Sequence, residues 1–142
     1  MALLGCAEPA LQRLILVEPI LNADHAIWQS PASVTLRAAL RRVGMKPVHT
    51  APHLRLVCPT LLEPQTPTDK IILIAGEYDR IASPGQIREL HQAWAGSHYS
   101  CHPQGHVGYT LMPESFRIAQ KTWPDDFQAP VGAAAPDLTL AH

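Results

Sequence analysis

The stretch that decides the fold lies at residues 70–79, where the sequence reads KIILIAGEYD. Five consecutive apolar residues, 71–75, are followed by a turn that begins at Gly76. Continuous apolar runs of this length are typical of strands covered on both faces, as in a parallel sheet. Asp79 comes a few residues after the strand end, where open parallel sheets gather their functional groups. The stretch therefore predicts a buried strand and a candidate site residue.

Two further strands are predicted, at residues 14–17 (LILV) and 98–102 (HYSCH). An amphipathic helix is predicted to begin at Ser83 and Pro84, because serine suits the N-cap and proline the first turn. Other helices are predicted up to Ala7, from Ser33 to Val43 and from Pro113 to Trp123. Strands that alternate with helices predict an α/β fold. We expect three layers, with a short parallel sheet of about three strands joined by crossover helices.

The segment at residues 21–69 differs from the rest of the chain. After the predicted helix it contains five closely spaced prolines, which indicate irregular structure rather than sheet: Pro47, Pro52, Pro59, Pro64 and Pro67. We interpret it as a lid-like excursion within one domain, residues 1–127. Residues 128–142 are rich in alanine and proline and are predicted to be a disordered tail.

Composition excludes several classes of protein. The chain has 142 residues, of which 46% are hydrophobic and 16% charged, so it can bury a core. A formal net charge of −1 gives no reason to propose nucleic acid or an anionic membrane as a partner. No apolar run approaches the roughly 20 residues of a membrane span. The amino terminus lacks the basic region of a signal peptide, and we expect a cytoplasmic protein.

Asp79 and His106 are the candidate catalytic residues. Each follows the carboxyl end of a predicted strand, and adjacent parallel strands lie about 4.8 Å apart. The two side chains should therefore lie within hydrogen-bond distance. The carboxylate would fix the imidazole tautomer and leave the other ring nitrogen free to act as a base. Gly105 allows the backbone beside the histidine to turn tightly.

These two segments resemble the acid-bearing and histidine-bearing segments of the α/β-hydrolase superfamily. The resemblance rests on LIAGEYDRIASP at residues 73–84 and PQGH at residues 103–106, with the expected helix between them. It covers roughly residues 10–124. It implies a partial α/β-hydrolase fold, the carboxyl-terminal half of a serine esterase or lipase acting on ester or amide bonds. In that family Asp79 would match the triad acid and His106 the triad base, while residues 21–69 would match the lid insertion.

The nucleophile of such a triad has no counterpart in the sequence. No Gly-x-Ser-x-Gly precedes Asp79, although the family order is nucleophile, acid, histidine. Cys6 lacks a preceding strand, and three serines lack flanking glycines: Ser30, Ser33 and Ser83. We expect the chain alone to be inactive, and to act on a small ester-like substrate only if a front half completes it.

Two alternatives to a hydrolase fragment stay open. One is a non-catalytic, truncated remnant that serves as a binding or interaction module. The other is an unrelated parallel α/β binding domain with an accidental Gly-His. If the chain is a fragment, whether of an enzyme or of a non-catalytic remnant, the strand at Leu14–Val17 would have one unpaired edge. This edge predicts self-association or a partner chain.

No metal or cofactor is expected. His49 and His53, and likewise His98 and His102, have the i, i+4 spacing of helical zinc ligands. However, we expect the first pair in a proline-containing loop and the second on a strand, so chance explains both. The three cysteines, Cys6, Cys58 and Cys101, include no C-x-x-C motif and are expected to be small buried hydrophobic side chains rather than part of a disulfide framework or a zinc site.

Other side chains have simpler interpretations. Glu18, at the end of the first predicted strand, could face the site or cap a turn, and we expect the turn. Trp28 could line a substrate pocket or cover a small core within the excursion. Arg37, Arg41 and Arg42 are expected to form one solvated helix face.

Overall fold

The central strand of the protein is residues 71–76, and the rest of the fold is arranged around it. The computed structural model describes residues 2–106 and 111–127. Three strands are present in this part of the chain, β1 (Leu14–Val17), β2 (Ile71–Gly76) and β3 (His98–His102). The helices are α1 (Ala2–Ala7), α2 (Ala23–Trp28), α3 (Val34–Arg42), α4 (Pro47–Arg55), α5 (Pro84–Ala93) and α6 (Leu111–Thr122). The predicted tail at 128–142 lies outside the described residues.

The strands form one parallel sheet in the order β1-β2-β3. Leu14 lies opposite Ile71, and Ile72 lies opposite His98. All six residues of β2 are buried, as the continuous apolar run predicts. The prediction of an α/β protein with a small, open, three-stranded parallel sheet is confirmed.

Helices cover both faces of the sheet. On one face, Leu16 and Leu73 pack in a cluster with Ile87 of α5 and with Trp94, which directly follows α5, and Ala2 of α1 belongs to the same cluster. On the other face, the alternate residues Ile72 and Ile74 of β2 form a second cluster with Ala119 of α6 and with Trp123, which directly follows α6. Alternate strand residues therefore enter two separate cores, because successive side chains of a strand point to opposite faces.

The excursion between β1 and β2 corrects one prediction. The expected helix at Ser33–Val43 is α3, but the proline-containing segment after it is not irregular throughout, since residues 47–55 form α4. Pro47 occupies the first turn, where no intrahelical N–H bond is lost. The backbone N–H of Lys46 is satisfied by Nδ1 of His49, 3.2 Å away. His49 and His53 thus lie on a helix, not in the expected loop.

Helix α6 begins two residues earlier than predicted, at Leu111 rather than Pro113. Proline is tolerated in the first turn because its missing N–H would have no partner there. In the part of the chain that the structure describes, no helix is both long and apolar enough to cross a membrane.

Candidate functional site

Asp79 and His106 are in direct contact at the carboxyl edge of the sheet. Nδ1 of His106 lies 2.8 Å from Oδ2 of Asp79. The Asp79 side chain is fully buried, whereas 24% of the His106 side chain is exposed. The strand-end argument predicts this contact, and the structure shows it. Their catalytic role stays a prediction.

The Asp79 carboxylate is held by the turn that follows β2. Its Oδ1 accepts hydrogen bonds from the backbone N–H groups of Ile81 (2.7 Å) and Ala82 (2.9 Å). The N–H of Asp79 itself donates to the carbonyl of Gly76 at 3.2 Å. Hydrogen bonds from N–H groups to a carboxylate stabilise its charge. Oδ1 is thus fixed by the backbone, and Oδ2 faces the imidazole.

The loop that carries His106 is joined to the Asp79 turn by backbone hydrogen bonds. The N–H of Glu77 donates to the carbonyl of His102 at 2.7 Å, and the N–H of Tyr78 donates to the carbonyl of Gln104 at 3.0 Å. These bonds continue the pairing of β2 with β3 beyond the end of the sheet. The separation of the dyad is therefore set by main-chain geometry as well as by the two side chains.

Glu18 is a third member of the site, and its expected role in a turn is wrong. Its side chain is only 4% exposed, and its Oε2 lies 3.7 Å from Nδ1 of His106. The residue has a φ of 45°, uncommon for a residue with a side chain, and its N–H donates to the carbonyl of Ile74 at 2.8 Å. Glu18 directly follows β1, so the strand-end argument used for Asp79 could have identified it.

The arrangement favours proton transfer at one ring nitrogen. When Nδ1–H of His106 donates to Asp79, Nε2 is left with a lone pair and can act as a base. Two buried carboxylates beside the ring stabilise the positive charge that the imidazole gains on protonation. The three side chains therefore form an acid–base unit with one histidine and two acids.

The same three residues are the group of potential metal ligands found among residues 2–106 and 111–127. The ligand atoms of Glu18, Asp79 and His106 lie within 4.8 Å of one another. The facing atoms of Asp79 and His106 already share a 2.8 Å contact, and Oδ1 of Asp79 is engaged by backbone N–H groups. The geometry therefore describes a hydrogen-bonded dyad better than a metal site. The histidine pairs on α4 and β3 do not belong to any such group within the described residues.

An open cleft of about 400 Å³ lies beside the dyad. It is lined by Ala2, residues 15–20 and His106, so it runs along β1 and includes Glu18. A second cavity of about 320 Å³, lined in part by Asp24, Leu54 and Cys58, contains no member of the dyad. The cleft along β1 is therefore the place where a substrate would meet His106.

None of the four candidate nucleophiles named from the sequence is hydrogen-bonded to His106 within the described residues, and Ser83 occupies the N-cap position of α5. Burial raises the pKa of the Cys6 thiol, which disfavours the reactive thiolate. Ser30 is buried and caps a short turn by accepting from the N–H of Ala32 at 3.2 Å. Ser33 donates to the carbonyl of Ala26 at 2.6 Å. No described hydroxyl or thiol is hydrogen-bonded to His106, whose described polar neighbours are the carboxylates of Asp79 and Glu18.

Two other side chains belong to the excursion's own packing. Trp28 donates from Nε1 to Oγ1 of Thr50 at 2.8 Å and so ties α2 to α4. Arg37 donates to the carbonyls of Ile27 and Ser30, so it is not simply solvated. Arg41 and Arg42 are exposed, as expected.

Comparison with known proteins gives no match: no family model, no curated protein and no solved structure is significantly similar to this chain. Any functional assignment therefore depends on the site itself.

Proposed function

We propose that this chain is the carboxyl-terminal part of a serine hydrolase of the α/β-hydrolase type, in which Asp79 and His106 are the acid and the base. The observation that carries the proposal is their 2.8 Å contact at the ends of neighbouring parallel strands. They also occur along the chain in the order acid, then histidine, as in that family. Residues 1–127 would form the domain, with residues 21–69 as its lid.

The reaction would be acyl transfer from a small ester or amide. A serine from outside the described residues attacks the carbonyl carbon, and Nε2 of His106 takes the serine proton. Asp79 holds the ring in the required tautomer and stabilises the imidazolium. His106 then returns the proton to the leaving alcohol or amine, and water, activated in the same way, releases the acid. The donors that stabilise the oxyanion would also come from outside the described residues.

A second candidate function is a non-catalytic binding module. It is favoured by the absence of any Gly-x-Ser-x-Gly in the sequence and by the open cleft of about 400 Å³ beside β1. In this alternative the dyad orders the loops at the cleft, and the cleft binds a ligand or another chain without chemistry.

Ester hydrolysis separates the two candidates. The chain alone should hydrolyse short activated esters no faster than background, because removing the serine of a triad can cost about 10⁶ in rate. The chain should then be extended by the residues that its natural reading frame encodes before Met1. If they contain Gly-x-Ser-x-Gly, the extended protein should hydrolyse the esters, and His106→Gln or Asp79→Asn should lower the rate about 10⁴-fold.

His102→Gln is the matched control, because His102 ends β3, the strand before the His106 loop, and its Nε2 lies 2.8 Å from Oγ of Ser100 rather than beside a carboxylate. It should leave the rate unchanged. An upstream frame without the serine motif would reject the hydrolase and favour the binding module. Hydrolysis by the chain alone that His106→Gln abolishes would show that an unrecognised nucleophile is present. A fluorophosphonate label would then locate that nucleophile.

A further inference from the structure

The charges of the chain are strongly segregated, although its net charge is only −1. Residues 25–62 contain five of the 11 lysines and arginines and none of the 12 aspartates and glutamates. This segment therefore carries a formal charge of +5, and the remaining six basic and 12 acidic residues leave −6 for the rest of the chain. The near-neutral total conceals a basic segment that begins within α2, after Asp24, and contains all of α3 and α4.

Helix α3 has an apolar face that the described protein does not cover. Leu36, Ala39, Leu40 and Val43 follow the i, i+3, i+4, i+7 spacing of one helix face. Leu36 is 47% exposed and Val43 is 75% exposed. None of the residues of α3 is buried. Amphipathic helices of globular proteins normally turn such a face towards the core, so this face is available for an external partner.

The exposed apolar and basic residues continue onto α4. Val48 is 69% exposed and Leu56, just after the helix, is 78% exposed. Lys46 directly precedes α4, Arg55 is its last residue, and both are exposed. Exposed apolar and basic side chains thus recur along residues 34–57, and we call the exposed side chains of this segment the basic apolar surface. Four of its cations are exposed to solvent: Arg41, Arg42, Lys46 and Arg55.

We propose that this basic apolar surface docks the protein on an anionic phospholipid bilayer. Amphipathic helices with basic residues beside an exposed apolar face bind in the plane of such an interface. A protein partner would explain the exposed apolar residues, but it would not require the surrounding charge to be uniformly positive. A segment of 38 residues without a carboxylate specifically suits a uniformly negative surface. The contact is peripheral, because α3 and α4 have nine residues each and cannot span a bilayer.

This inference is independent of the dyad. None of the basic apolar surface belongs to the cleft at His106. The surface could hold the protein at a membrane whether or not Asp79 and His106 take part in catalysis. Its test therefore needs no substrate and no front half.

The test is co-sedimentation of the full chain with vesicles of phosphatidylcholine, alone or mixed with phosphatidylglycerol. Binding should require the anionic lipid and should weaken as salt is added, because salt screens the attraction. Arg41→Gln with Arg42→Gln should weaken binding about 25-fold, since each cation near an anionic bilayer contributes about fivefold. Leu36→Ser with Val43→Ser should weaken it as well, because these side chains would enter the interface.

A matched control removes the same charge from α6. Arg117 and Lys121 are exposed there, and Arg117→Gln with Lys121→Gln should leave vesicle binding unchanged. Circular dichroism and thermal unfolding show whether each variant folds. The Leu36 and Val43 variants should fold normally, because both side chains already contact solvent.

Three results would overturn the proposal. The first is equal loss of binding in the α6 control, which would indicate attraction without a defined surface. The second is failure of the folded chain to bind anionic vesicles, including a case in which it binds nucleic acid instead. The third is a lower unfolding temperature or a changed oligomeric state for Leu36→Ser with Val43→Ser, measured in solution in the absence of vesicles. That result would show that the apolar face packs on protein.

Discussion

Gly76 is the residue on which the geometry of the site depends most directly. It ends β2 three positions before Asp79 and lies between Glu18 and the loop that carries His106. A Cβ at this position would overlap Oε1 of Glu18 and would lie 2.7 Å from the backbone carbonyl oxygen of Gln104. Glycine is required here for close approach of the two loops, not for an unusual backbone conformation.

We predict that Gly76→Ala lowers the free energy of unfolding by about 1–3 kcal/mol, the usual cost of overpacking a tight site. The Gln104 backbone cannot move away without disturbing its hydrogen bond with Tyr78. Urea unfolding measures the change. Gly85→Ala is the control, because a Cβ there meets only Oγ of Ser83, at 3.5 Å, and Gly85 lies in α5, where alanine is favoured. Equal stability of the Gly76 variant and the wild type would show that the site has more space than the structure indicates.

At the residue scale, the sequence predicts the dyad but not its third member. Asp79 and His106 each follow a recognisable strand, and parallel strands bring their carboxyl ends together. Glu18 follows a strand equally closely, but a turn role is compatible with the same position. Its burial and its positive φ are imposed by the surrounding structure, so they could not be read from the residues.

At the element scale, the strands are predicted well and the excursion is predicted poorly. Buried parallel strands show as continuous apolar runs, which is why β1 and β2 are evident. Helix α4 is not predicted because Pro47 and Pro52 suggest irregular structure. Pro47 lies in the first turn, where proline costs little, whereas Pro52 lies inside the helix and removes one intrahelical donor. Helix α2 has six residues and none of them is buried, so it leaves little periodic signal. Its start is fixed by Asn22, whose side chain accepts from the N–H of His25 at 2.9 Å.

Strand β1 has one pairing partner among the described strands, β2. Its other edge borders the open cleft, where Ile20 is 51% exposed. An unpaired apolar edge is a template for strand pairing, so we predict that the isolated chain self-associates or requires a partner chain through Leu14–Val17. Light scattering at tens of micromolar measures this.

Ile20→Lys should reduce self-association by placing a charge in the cleft. Phe116→Lys should not, because Phe116 is 58% exposed on α6 and does not line the cleft. A monodisperse wild-type monomer with cooperative unfolding would reject the prediction and describe a self-sufficient small domain.

At the scale of the whole molecule, burial is divided unevenly. Every residue of β2 is buried, together with Ile87 and Leu90 of α5, whereas α2, α3 and α4 contain no buried residue. Buried apolar surface is the main stabilising contribution to a fold. Stability therefore resides in the sheet and its covering helices. The excursion can change its surface, and hence its partners, at little cost to the core.

The pairing register also has a consequence for the order of assembly. Leu14 pairs with Ile71, 57 positions along the chain, whereas Ile72 pairs with His98, only 26 positions away. Closing the longer loop costs about 0.7 kcal/mol more in chain entropy. We therefore predict that the unit from β2 to β3 forms first and that β1 joins it last. Asp79 and His106 both belong to the early unit, so their hydrogen bond would form before Glu18 arrives. Pulse-labelling hydrogen exchange during refolding should show protection of β3 amides before that of the Glu18 amide, and simultaneous protection would reject this order.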